Sequence, residues 1–121
     1  MADEMRTFSG DVPLGDPRAL KDEPEVTLVN WQVFDIRWRR MGNFKTLHFV
    51  GDCVGTSGGR VSSAIQSFNK LTMQGTSRSG RVYTLSGLPG RSAEAAKIWD
   101  DWQFKFGADD VRCVTDRFKP A

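Results

Sequence analysis

RVYTLSGLPGRSAEAAKIWDDWQFKFG, residues 81–107, contains the change of period on which the fold turns. Val82 to Ser86 is β-branched and aromatic, which suits a pleated surface and predicts a strand. Gly87-Leu88-Pro89-Gly90 ends it, because such residues favour turns over regular pairing. Beyond the break the pattern becomes helical. Ser92 can cap, and Glu94 falls in the first turn, where the helix dipole favours an acid. Ala95, Ile98, Trp99, Trp102 and Phe106 then share one helical face, and Gly107 suits the left-handed position after a helix end. A sheet therefore gives way to one amphipathic helix that must bury its tryptophans on that sheet.

Upstream, the chain reads as consecutive strands. In Val26–Arg39, Trp31 and Val33 share one face while Phe34, Ile36 and Trp38 share the other. Either both faces are covered or a bulge near Val33 switches the facing. Met41-Gly42-Asn43 is a turn signal, and Phe44–Val54 is a second strand with Leu47 and Phe49 on one face. After the loop Gly55-Thr56-Ser57-Gly58-Gly59, Val61, Ser63, Ile65 and Ser67 alternate on a third. Asn69-Lys70 turns the chain, Leu71 and Met73 open a fourth strand, and Ser79-Gly80 suits a tight hairpin into the fifth. Val111 and Cys113 alternate, which suits a short terminal strand. The fold class predicted is α+β: a small, twisted antiparallel β-meander of about five strands packed by one C-terminal amphipathic helix. A sheet of this size can curl into a half-barrel.

Charge divides the chain. The first 25 residues hold seven acids and three bases; positions 26–121 hold fourteen bases and eight acids. The leading segment also contains Pro13, Pro17 and Pro24 and lacks an apolar period, so 1–25 is expected to be a disordered acidic arm. Residues 26–121 are expected to form a single domain, long enough for one modest core. Nothing resembles a membrane span or a basic-then-apolar leader, which predicts a cytoplasmic, bacterial-type protein with no membrane partner. Cys53 and Cys113 are too few for a disulfide framework and are expected to be buried thiols.

No arrangement in the chain favours catalysis. His48, with Cys53, Cys113 and a carboxylate, lacks the spacing of a zinc site. Ser57, Ser62 or Ser63 with His48 and Asp52 would form a triad only if geometry assembled them. The glycine-rich run 51–60 lacks the Gly-Lys-Ser/Thr ending of a phosphate loop. Asp100-Asp101 are neighbours on a helix and cannot converge on one ligand. The expectation is a non-enzymatic protein with no cofactor and no metal.

The basic residues are more informative. Arg37, Arg39 and Arg40 crowd the end of the first strand, with Lys45 across the turn, and Arg78 and Arg81 flank a hairpin tip. These six are the predicted partner-binding residues. With Trp38 and Phe44 nearby as stacking faces, such a set can hold single-stranded nucleic acid. The alternative is a solvated surface that only keeps the chain soluble.

The stretch Thr76–Gly90, through its Ser-Gly-Arg-x-Tyr-x-Leu-x-Gly-x-Pro-Gly portion, resembles segments of small hypothetical proteins of proteobacterial plasmids, integrative elements and prophages. Arg60–Ile65 and Ile98-Trp99-x-x-Trp102 look similar as well. No activity is assigned to that group, so the resemblance implies a context and no catalytic residue. Cargo proteins of mobile elements are often inhibitors of host defence, such as anti-CRISPR proteins, or regulators. The function expected is inhibition or regulation of a host protein or nucleoprotein complex through a basic surface. The alternative expectation is a single-stranded nucleic-acid-binding module.

Overall fold

The computed structural model describes residues 23–56 and 58–120. Most of the segment expected to be an acidic arm lies outside them. Its last three residues do not: Glu23 and Pro24 contact the body, and Glu25 opens the first strand. The elements are β1 (Glu25–Trp38), β2 (Phe44–Cys53), β3 (Gly59–Val61), β4 (Ile65–Asn69), β5 (Gln74–Ser77), β6 (Val82–Leu85), α1 (Ala93–Phe106), β7 (Val111–Cys113) and a 3₁₀ turn at Thr115–Phe118. Among the described residues the fold is α+β, with one mixed sheet of seven strands in the order β3-β2-β1-β6-β5-β4 and β7 added on β1. No helix among the described residues is long and apolar enough to cross a membrane.

The sheet departs from a purely antiparallel meander at one place, where β6 pairs β1 in parallel. Chain direction explains this. β3 and β4 stand at the two ends of the strand order yet are separated only by Ser62–Ala64. Four extended peptide steps reach no more than about 14 Å. The sheet must therefore curl until its ends nearly meet. The Ser62 amide bonds Phe49 O on β2 at 2.9 Å, while Ala64 O accepts from the Arg78 amide beyond β5 at 2.7 Å. The expected third strand thus exists but changes partners midway, leaving β2 for β5. Counted this way, five alternating runs close on themselves, and an odd number puts the first and last in the same direction.

A bulge in β1 sets the facing. Register slips between Val29 and Gln32, with Asn30 at φ 49°. The slip keeps Val26, Leu28, Trp31 and Val33 on the concave side, where they pack with Phe49, Tyr83, Leu85 and Phe118. Phe34, Ile36 and Trp38 point to the convex side, under α1. Both alternatives raised by the sequence hold together: there is a bulge, three residues earlier than Val33, and both faces are covered.

Ser92 caps α1 by accepting from the Ala95 amide at 3.0 Å, and Gly107 ends it with φ 71°. Ala95, Trp99 and Trp102 are buried against β2 and β3, while Ile98 sits at the edge of the stripe and is half exposed. The helix approaches so closely that a Cβ on Gly59 would lie 2.5 Å from Ala95 Cα. Cys53 is buried as expected. Cys113 is exposed, because β7 pairs only with β1 and has no strand on its other side among the described residues.

Candidate binding surface at the basic end of the sheet

The turn between β1 and β2 passes through Gly42 at φ 110° and Asn43 at φ 58°. It carries Arg39 and Arg40 into solvent and brings Lys45 opposite Arg37 on the paired strands. Three of these cations are ion-paired. Arg39 Nη2 donates to Asp110 Oδ2 at 2.7 Å, Arg40 Nε to Asp109 Oδ2 at 3.3 Å, and Lys45 Nζ lies 3.3 Å from Asp35 Oδ2. The Arg39 hydrogen bond, supported by the charges of Arg39, Arg112 and Arg37, holds the Asp110 carboxyl below the usual carboxylate range. These arginines therefore also fasten the β1–β2 turn to the loop after α1. The Arg37 amide adds to the same fastening, donating to Asp110 O at 2.9 Å.

Two depressions share Lys45. One is a small polar cleft lined by Asp35, Arg37, Lys45, Asp110, Arg112 and Arg117. The other is a groove along the seam of the curled sheet, where Phe44, Lys45 and Leu47 of β2 face Ala64, Ile65 and Arg78. Phe44 is 40% exposed in that groove. Of the six expected residues, the structure thus places Arg37 and Arg78 each in a depression with Lys45, while Arg39 and Arg40 line neither and stand on the adjoining turn, paired with Asp110 and Asp109.

Arg81 belongs to neither group. It is 1% exposed, and its Nε donates to Glu23 O at 2.6 Å. Arg60, also buried, pairs with the Glu23 carboxylate at 2.8 Å. The expectation that Arg81 projects from a hairpin tip is corrected: Arg78, Ser79 and Gly80 form the exposed tip, and Arg81 already turns inward. Conversely, Arg112 and Arg117 join the basic region unannounced by the sequence. They arrive through β7, which pairs residues 111–113 with residues 34–36 of β1. The one available signal was alternation, which sets Arg112 opposite Val111 and Cys113.

The catalytic and metal arrangements weighed from the sequence do not assemble among the described residues. His48 is fully buried. Its Nδ1 contacts the Ser62 carbonyl at 2.9 Å, which can only accept, so Nδ1 carries the proton. Nε2 then accepts from the Thr46 hydroxyl at 2.7 Å, and that oxygen accepts from Trp38 Nε1 at 2.7 Å. Burial pushes the His48 pKa down to about 4, against the weaker opposing effect of the Ser62 bond. Asp52 lies elsewhere, accepting from Asn30 at 3.0 Å and from Ser92 Oγ at 2.6 Å. Ser62 Oγ accepts from the Phe49 amide, and Ser63 Oγ contacts Ser79; both stitch the seam of the sheet. Ser57 lies outside the described residues. No three His, Cys, Asp or Glu side chains among the described residues converge as metal ligands would. Comparisons with family models, with curated proteins and with solved structures found no match for the chain.

Proposed function

We propose that this chain is a non-enzymatic binding protein whose working face is the basic surface around Lys45. The observation that carries the reading is convergence. Lys45 of β2 lines a cleft with Arg37 of β1, Arg112 of β7 and Arg117 of the 3₁₀ turn, and a groove with Arg78 from the β5–β6 turn. Five separate elements contribute a cation to one face, which suits an acidic surface on a partner. Arginine heads add planar, multi-donor contacts. The resemblance of Thr76–Gly90 to proteins of mobile elements supplies the context. The chain would act in the bacterial cytoplasm as an inhibitor or regulator of a host protein or nucleoprotein complex, such as a CRISPR-type defence assembly.

Single-stranded nucleic acid is the second reading, favoured by the exposed Phe44 ring beside Lys45 and Thr46 in the seam groove. A protein partner is preferred because Trp38 is 1% exposed, which removes one of the two rings expected to stack on bases. Affinity capture from a bacterial lysate, run with and without nuclease, tests the choice. A protein retained in both arms and released by salt supports the first reading. Capture that nuclease abolishes transfers the function to nucleic acid. Absence of any salt-sensitive capture contradicts both.

A further inference from the structure

We infer that the cleft beside Lys45 is a binding site for one phosphate group, as the free dianion or as a monoester. The inference does not rest on the macromolecular partner proposed above, since the ligand is a single small oxyanion.

The cleft is lined by Arg37, Lys45, Arg112 and Arg117 with Asp35 and Asp110. Four positive and two negative groups leave a surplus of two positive charges. The carboxylates are largely neutralised by near neighbours: Asp35 by Lys45 at 3.3 Å, and Asp110 by Arg39 at 2.7 Å, a cation from outside the lining. Arg112 is only loosely engaged, at 3.8 Å from Asp110 Oδ1. The Arg37 and Arg117 guanidinium groups make no ion pair or side-chain hydrogen bond among the described residues. Two forked donor heads on residues lining one cleft thus keep hydrogen-bonding capacity that the neighbouring Asp35 and Asp110 do not take up at hydrogen-bond distance.

Size and charge together select the ligand. The cavity holds about 90 Å³. That is room for one tetrahedral oxyanion, and because the cleft opens to solvent the organic group of a monoester can project outward. A phosphate monoester carries roughly −1.5 to −2 at pH 7, which offsets most of a surplus that is two for the lining alone and three with Arg39. A single carboxylate would leave part of it uncompensated. Guanidinium groups bind such oxygens by paired N–H donors, which the arginines lining the cleft carry. The frame is firm: Arg37 and Lys45 lie opposite each other on paired strands, and Arg112 lies on β7, bonded to the same β1.

The test titrates the full ¹⁵N-labelled chain with inorganic phosphate, and separately with sodium chloride at matched ionic strength, while amide shifts are followed. Phosphate should give saturable shifts confined to amides near residues 35–37, 45 and 110–117. Arg37→Gln and Arg117→Gln should each weaken the affinity about 10-fold, a loss in keeping with one charged hydrogen-bonding partner. Lys97→Gln, on the solvent side of α1, should change nothing. If Arg37→Gln fails to fold, Arg117→Gln decides alone. Phenyl phosphate binding as well as the free ion marks the site as one for monoesters; binding of the free ion alone marks it as one for the dianion. Shifts equal to those from chloride, or phosphate affinity unaltered in both arginine variants, overturn the proposal.

Discussion

His48 shows how one side chain couples burial to pH. It is neutral in the fold, with each ring nitrogen already committed, and its pKa falls from the ordinary 6.5 to about 4. A depressed value in the folded state means that the unfolded chain takes up the proton first. Stability should therefore be level above pH 6.5 and decline as pH falls from there towards 4. The full loss is about 3 kcal/mol, since each tenfold change in proton affinity is worth roughly 1.4 kcal/mol. Urea unfolding at half-unit steps from pH 7.5 to 4.5 measures it, and His48→Gln should flatten the slope over that window. Trp102 is the second telling residue. It lies against Trp99, His48, Phe106 and Trp38, with ring centroids 4.9–6.3 Å away. Trp102→Ala should cost about 3–5 kcal/mol in the same assay, as buried aromatic truncations do. The tryptophan face was legible because helical period alone defines it. Arg81 was not, since its inward turn depends on Glu23, 58 residues earlier in the chain.

Among the elements, α1 came through from sequence to structure nearly intact, cap and terminator included, because its signals are local. The third expected strand did not. Its alternation is continuous through Val61, Ser63, Ile65 and Ser67, but nothing local says that it changes partners at Ser62–Ala64. Only closure of the sheet demands that. β7 was half legible for the same reason: its pairing with β1 spans more than 70 residues. The contact of α1 with β3 is the sharpest constraint between elements. Gly59 is needed there for space rather than for backbone freedom, since a methyl would meet the helix backbone at Ala95. Gly59→Ala should lower stability by about 1–3 kcal/mol, the usual cost of overpacking. Thermal unfolding should register it, while circular dichroism at low temperature stays close to wild type.

For the molecule as a whole, the fold follows from five alternating runs that curl until the first meets the last, with a helix covering the convex side. The boundary of the folded body falls earlier than charge and composition suggested. The Glu23 carboxylate and carbonyl engage two buried arginines, and Pro24 O accepts from the Val82 amide at 2.9 Å. Removing residues 1–25 should therefore lower the melting temperature by several degrees, since breaking a buried ion pair is costly. Removing 1–22 should lower it far less, and differential scanning of the two truncations gives the comparison. The same arrangement decides how to probe the basic face. Reversing Arg81 would damage the core, whereas Arg78 and Arg117 are exposed on the two depressions that share Lys45. The most direct measurement is capture of the partner from nuclease-treated bacterial lysate by the wild-type chain and by the Arg78→Glu, Arg117→Glu variant, matched for melting temperature. The variant should lose the salt-sensitive protein that the wild type retains. Equal retention by both at low salt would contradict the assignment of this face.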